Sequence, residues 1–302
     1  MSSPVATPVT VDAARAGRTT LAVAWVGTLA LSRLLHIILV DVLGIDASLM
    51  TWIWLVLAML LVSVAWIWAP ARPLRGYFIV MMAVIVAAFV LAPWLQGLGV
   101  VQAGSDIVRN ANEKAVLAAV ALAMAAFLLV VLRQRPADVF LTAGNLQAPS
   151  ALRLPGMHQP LSWVAVGTIA TTVLPAVGAG QMWLVGALPG PGFDRLAPLA
   201  SLILATAVCN AFGEEILFRV GPLAFLSRVV GANQAVLMTS VWFGLGHYSG
   251  SGMAGPLLAV WSGAVALLLG RAMIATRGLG WPLIIHTAID VVIFSTIAAA
   301  AS

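Results

Sequence analysis

Two adjacent glutamates and an arginine lie inside an apolar stretch in the last third of the chain. Residues 210–219 read Asn-Ala-Phe-Gly-Glu-Glu-Ile-Leu-Phe-Arg, and Glu214–Glu215 is the only adjacent pair among the ten acidic residues. Ionised groups are costly inside a membrane and usually serve a function there. Glu215 and Arg219 are four residues apart in the favoured order for a helical ion pair. This pairing leaves Glu214 on another face, so it must find a partner on a different helix or stay protonated.

Two further polar clusters follow within apolar stretches. Phe243 and His247 are four residues apart, and so are His286 and Asp290, so each pair shares one face of a helix. Glu214 lies about 15 residues, or roughly 23 Å, before a turn predicted near Gly231, and His247 lies a similar distance beyond it. An antiparallel hairpin would therefore bring these two side chains to one depth. His286 joins them only if this hairpin projects about 10 Å farther than the next one.

A carboxylate and two imidazoles around one cavity suit hydrolysis by general acid–base catalysis. Glu214 would take a proton from a water molecule that attacks a carbonyl group, and His247 would hold the same water. His286 and Asp290 would face the oxygen that becomes negative in the tetrahedral intermediate. Glu215, Arg219 and Phe243 would support these four residues. The pattern thus predicts a hydrolytic site with four catalytic residues, Glu214, His247, His286 and Asp290.

The composition places this site in a membrane protein. The chain has 302 residues, of which 62% are hydrophobic and 8% charged, whereas about a quarter of the residues in a soluble domain are charged. Apolar stretches close to the required length of about 20 residues recur throughout the chain. They lie at roughly 19–43, 51–69, 76–95, 114–132, 161–187, 197–217, 233–248, 254–275 and 281–300. We therefore expect an all-α polytopic bundle of eight to nine transmembrane helices, with the catalytic core in the last four.

Charge and loop composition suggest how the chain is organised. If the chain has nine transmembrane helices and its N-terminus is inside, ten Lys and Arg residues fall in inner loops and three in outer loops. This distribution favours a cytoplasmic N-terminus, and we expect the protein in the plasma membrane. We expect a disordered tail over 1–18, a four-helix membrane region over 19–132, a polar loop over 133–160 and a C-terminal membrane region over 161–302. The net charge of +5 is explained by these loops, so we expect no nucleic-acid partner.

The motifs resemble those of the CPBP family, the intramembrane endopeptidases that include CAAX prenyl proteases and bacteriocin-processing (Abi) proteins. The match consists of EExxxR at residues 214–219, FxxxH at residues 243–247, and a final histidine followed four residues later by Asn or Asp. It covers about 197–295. The resemblance implies a protease in which Glu214 and His247 activate water while His286 and residue 290 form the oxyanion site. It also implies a membrane-associated protein or peptide substrate, lipidated in the CAAX type, and no cofactor.

One position departs from the CAAX-processing members, which carry Asn where this chain has Asp290. Aspartate donates to an oxyanion only when it is protonated, as a buried aspartic acid is in ketosteroid isomerase. Alternatively, Asp290 orients His286. Two other functions stay open. A divalent metal could be bound by Glu214, His247, His286 and Asp290, although the chain lacks HExxH. The buried charges could instead belong to a transporter or to an immunity scaffold.

Overall fold

The computed structural model describes residues 16–152, 159–184, 196–248 and 255–301. Within these ranges the regular structure is helical, apart from one isolated β-bridge between Pro149 and Ser162. The helices are α1 (Arg18–Ala30), α2 (Arg33–His36), α3 (Met50–Ile67), α4 (Arg75–Val86), α5 (Ala92–Gln96), α6 (Gly99–Gln102), α7 (Asp106–Ala126), α8 (Trp163–Leu184), α9 (Ala200–Glu215), α10 (Gly221–Val230), α11 (Ala232–Gly246), α12 (Gly255–Thr276) and α13 (Gly280–Ala301). Most of the predicted tail, 1–18, lies outside the described residues.

The predicted all-α membrane bundle is confirmed. In the described part of the chain, seven helices are long and apolar enough to cross a membrane, or eight if a pair bent by 58° forms one crossing. That pair, Arg18–Ala30 with Arg33–Val42, corresponds to the predicted first crossing. The remaining one of the nine predicted crossings lies at 233–248, where α11 has only 15 residues. Such a helix is about 22 Å long, and residues 249–254 that follow it lie outside the described ranges.

The bend in the first crossing lies against α11. Ser32 caps α2 by accepting a hydrogen bond from the backbone N–H of Leu34 at 3.1 Å, and its hydroxyl donates to the carbonyl of Leu29. The indole N–H of Trp242 on α11 donates to the carbonyl of Leu31 at 2.9 Å. Because a broken helix in lipid must satisfy its freed backbone groups internally, these bonds fix the bend next to the helix that precedes His247.

Several loops that carry Lys and Arg residues contact one another at one end of the bundle. Arg228 donates to the Gln134 side chain at 2.8 Å and to the carbonyl of Asp138 at 2.6 Å. Thr142 donates to the carbonyl of Arg277 at 3.1 Å. Near the N-terminus, Thr20 donates to the carbonyl of Pro70, in the loop before α4.

The C-terminal helices are arranged around an interrupted crossing, Ala197–Val230. Its helical hydrogen bonding changes to a π-helical turn at Ile216–Val220, between α9 and α10. Single π turns often occur at functional sites, and this one begins directly after Glu215 and contains Arg219, the last residue of the EExxxR segment. Gly231 then reverses the chain with a φ of 82°, a conformation that favours glycine.

Helices α11 and α12 pack closely and antiparallel. A Cβ atom on Gly244 would lie 2.5 Å from the carbonyl oxygen of Ala259, so that position needs glycine. One hydrophobic core contains residues from both the N-terminal and the C-terminal membrane regions, including Phe78, Leu128, Leu217 and Met238. Helix α9 packs against α7 and α13. The packing therefore holds α9, α11 and α13, which carry the candidate catalytic residues, in one arrangement.

Candidate active site

Glu215 is the most deeply buried acidic side chain of the site, with 0% of it exposed. Its Oε1 accepts hydrogen bonds from the guanidinium of Arg219 and from Nδ1 of His286, the latter at 2.7 Å. The ion pair expected between Glu215 and Arg219 is therefore present, and Glu215 also contacts a histidine on α13. Since an ionised carboxylate only accepts hydrogen bonds, Nδ1 of His286 carries the proton. The Nε2 atom of His286, across the ring from Nδ1, consequently points away from Glu215.

Glu214 faces that Nε2 atom. Its Oε2 lies 3.5 Å from Nε2 of His286 and 4.0 Å from Nε2 of His247, and its side chain is 16% exposed. Nδ1 of His247 lies 2.9 Å from the carbonyl oxygen of Phe243, and a carbonyl accepts, so this nitrogen is also the protonated one. Two imidazoles on different helices thus present Nε2 to one carboxylate oxygen. Glu214, which had no partner on its own turn, has its partners on α13 and at the end of α11.

The separations around Glu214 exceed those of direct hydrogen bonds. Hydrogen bonds between nitrogen or hydroxyl groups and oxygen are about 2.7–3.0 Å long, so the gaps of 3.5 and 4.0 Å are too long for direct bonds. A water molecule can lie within hydrogen-bonding distance of Oε2 and of either Nε2. Exposure increases towards His247, whose side chain is 33% exposed, while that of His286 is 8% exposed. The site therefore opens on the His247 side.

Asp290 lies at the closed side of the site. Its Oδ1 is 3.8 Å from Nε2 of His286, beyond hydrogen-bonding distance, whereas its Oδ2 accepts a hydrogen bond from Nδ2 of Asn210 at 2.9 Å. His286 thus donates its direct hydrogen bond to Glu215, not to Asp290. Nδ2 of Asn210 is also 3.3 Å from Oε1 of Glu214. Asn210 is not among the side chains that the sequence predicted for the site.

Phe243 separates the polar groups. Its ring lies under the Arg219 guanidinium at 4.7 Å, beside the His247 ring at 4.4 Å and edge-on to the His286 ring at 6.2 Å. An aromatic face attracts a cation, so Phe243 stabilises the buried end of Arg219. It also excludes solvent from the space between the ion pair and His247. The supporting role of Phe243 stays a prediction.

The structure brings together all seven side chains predicted for the site, although their proximity alone assigns no catalytic role. A separate polar cluster lies near the first bend. There His36 lies 3.9 Å from Asp41 and stacks on Trp54. Across the described ranges, no group of three or more His, Cys, Asp and Glu side chains is arranged to hold a metal ion.

The fold and the cluster together define a class: an integral membrane protein with a buried carboxylate–histidine site between its helices. Comparison with known families then indicates which family the C-terminal region resembles. Residues 196–292 match the family model described as Rce1-like, type II CAAX prenyl endopeptidase Rce1-like. No curated protein and no solved structure gives a significant match.

The family match confirms the resemblance to CPBP and CAAX proteases that the three motifs predicted. It covers about a third of the chain and contains all seven predicted site residues. The C-terminal membrane region is thus similar to a protease family, and proteases are hydrolases.

Proposed function

We propose that this chain is an intramembrane endopeptidase in which Glu214 activates water for attack on a peptide bond. One observation carries the proposal: Oε2 of Glu214 faces the Nε2 atoms of His247 and His286 at 4.0 and 3.5 Å. A general base must lie within reach of the proton that it removes, directly or through one water. A water held between Glu214 and His247 satisfies that condition on the exposed side of the site.

In the proposed reaction, the water donates one hydrogen to Oε2 of Glu214 and the other to Nε2 of His247. Its oxygen attacks the scissile carbonyl carbon as Glu214 takes the proton. The carbonyl oxygen becomes negative and receives a hydrogen bond from Nε2 of doubly protonated His286. Glu214 then returns its proton to the leaving amine nitrogen, the C–N bond breaks as the oxyanion reforms the carbonyl, and a carboxylic acid and an amine are released. The same residue thus serves first as base and then as acid.

Glu215 and Asp290 set the charge around His286 in this scheme. Glu215 fixes Nδ1–H at 2.7 Å, so the Nε2 side is oriented towards the substrate. Asp290 lies 3.8 Å from Nε2 and stabilises the positive charge that His286 carries while it donates to the oxyanion. We assign this electrostatic role to Asp290 in place of oxyanion donation, because its Oδ2 already accepts from Asn210.

We propose a membrane-associated protein or peptide as the substrate, of the CAAX or the bacteriocin type. The matched family is described as type II CAAX prenyl endopeptidase, and Glu214, His286 and Asp290 lie on helices that are long and apolar enough to cross a membrane. We assign the proteolytic core to about 197–295. We further propose that the loop end joined by Arg228, Thr142 and Thr20 faces the cytoplasm, with the protein in the plasma membrane, because Lys and Arg residues concentrate in those loops.

The function is tested by comparing the termini of membrane proteins in cells that produce either the wild-type chain or Glu214→Gln. Termini that depend on Glu214 identify a cleavage site. A quenched peptide spanning that site is then offered to each purified protein in proteoliposomes. We expect cleavage by the wild type and a loss of at least about 100-fold in Glu214→Gln. Equal cleavage by a folded Glu214→Gln protein would reject the proposal, as would Glu214-dependent solute flux without cleavage.

A further inference from the structure

Asn210 connects two helices at the centre of the site. It lies one turn before Glu214 on α9 and is 5% exposed. Its single amide nitrogen is 2.9 Å from Oδ2 of Asp290, on α13, and 3.3 Å from Oε1 of Glu214. The three sequence motifs do not include Asn210. Its side chain nevertheless contacts two of the four residues that we assign to the reaction.

Those contacts use the donor capacity of the amide completely. An asparagine NH₂ group has two hydrogens, while an ionised carboxylate has only acceptors. Two carboxylates within hydrogen-bonding distance of one nitrogen are also close to each other, and like charges at such separations repel. A neutral donor between them satisfies one oxygen of each. Aspartate or leucine at this position would leave at least one of these buried acceptors without its donor, which is costly.

The contact also determines which way the Glu214 carboxylate faces. Because Asn210 binds Oε1, the plane of the carboxylate is fixed and Oε2 faces His247 and His286. Without that bond, the terminal torsion of a glutamate side chain is broad, and Oε2 would spend less time near the two imidazoles. A reacting group misplaced by 1 Å can reduce a rate by about two orders of magnitude.

We infer that Asn210 is a positioning residue of the active site, which holds the general base Glu214 and the carboxylate of Asp290 through one amide group. The inference rests on the proposed function, since it concerns how Glu214 is oriented for attack. It assigns to α9 a fourth polar residue in addition to Glu214, Glu215 and the Arg219 that follows it. Asn210 acts through Glu214 and Asp290 and does not touch the reacting atoms.

The first experiment measures kcat and KM of Asn210→Leu with the quenched peptide that spans the cleavage site found in the comparison of membrane-protein termini. We expect kcat to fall about 10- to 100-fold with KM within about threefold of the wild-type value, because substrate binding does not involve the amide. The matched control is Thr206→Val, one turn earlier on the same helix. Thr206 is also buried, but its hydroxyl donates only to the carbonyl of Leu202, so kcat should not change.

The second experiment separates positioning from simple packing. Asn210→Asp places three carboxylates together and should reduce kcat more than Asn210→Leu does. Adding Asp290→Asn to that variant removes one charge and restores a donor between the helices. The double variant should therefore be at least about tenfold more active than Asn210→Asp alone. In the wild-type background, by contrast, Asp290→Asn should reduce kcat.

Asn210→Leu with kcat within threefold of wild type, or no gain from Asp290→Asn in the Asn210→Asp background, would overturn the inference. Should Asn210→Leu not fold, the Asn210→Asp variant and its double variant decide the matter. A parallel measurement on Glu214→Gln distinguishes failure of the proposed function from failure of the role of Asn210. An active Glu214→Gln enzyme would refute the proposed function itself. An inactive Glu214→Gln with an unaffected Asn210→Leu would refute only the role of Asn210.

Discussion

Replacing Glu215 by glutamine removes the negative charge that Arg219 and His286 share. Arg219 is 1% exposed, and Glu215 is fully buried, so the substitution leaves a guanidinium in an apolar interior with no counter-ion on its own turn. Removing one partner of a buried ion pair costs about 3–5 kcal/mol. A change of 1 kcal/mol moves the melting temperature of a domain of this size by about 2–4 °C. We therefore expect Glu215→Gln to lower Tm by roughly 6–20 °C.

The assay is thermal unfolding of the purified protein in one detergent, with Glu214→Gln as the matched control. Both variants make the same chemical change at neighbouring positions. Glu214 is partly exposed and has no hydrogen bond at Oε2, so its Tm should stay within about 2 °C of wild type. The two variants should thus separate stability from catalysis. A Tm for Glu215→Gln within 2 °C of the wild type would refute the reasoning that this ion pair is the buried electrostatic support of the site.

Three further outcomes are expected. Gly244→Ala should lower both Tm and activity, because its Cβ would lie 2.5 Å from the carbonyl oxygen of Ala259. A Cβ on Gly246 would have no atom within 4 Å, so Gly246→Ala should behave as wild type. Equal behaviour of the two variants would contradict the packing of Gly244 against α12. Phe243→Leu should cost about 1–3 kcal/mol in thermal unfolding, since it removes the ring under Arg219, and an unchanged Tm would contradict that estimate. Cleavage should persist after exhaustive dialysis against a chelator, with metal content measured on the same sample; a loss restored by zinc would favour the metal-dependent alternative.

The membrane bundle could be predicted from the sequence because apolar stretches of sufficient length require helices in lipid. Length and composition did not predict how individual crossings are interrupted. The bend after Ala30 depends on the cap of Ser32 and on a hydrogen bond from Trp242, which is a contact between distant parts of the chain. Similarly, α11 reads as an apolar crossing at 233–248, but regular helix ends at Gly246 after 15 residues. Hydropathy does not show at which residue regular helix ends.

The site was predictable to the extent that its contacts are local or fixed by helical spacing. Glu215 and Arg219 are four residues apart, and the spacing alone predicted their ion pair. The count of residues from the Gly231 turn placed Glu214 and His247 at one depth, and their side chains do face each other. Contacts between distant segments were not predictable in this way. Glu215 meets His286 across 71 positions, so the second function of Glu215 appears only in the folded chain.

The central claim, that Glu214 is the base that activates water, is tested most directly by single-turnover cleavage of the quenched peptide by purified Glu214→Gln. Glutamine keeps the volume and the acceptor oxygen but cannot take a proton. We predict a wild-type melting temperature together with a cleavage rate that is lower by about 100- to 10,000-fold. A folded Glu214→Gln protein that cleaves within tenfold of the wild-type rate would contradict the claim.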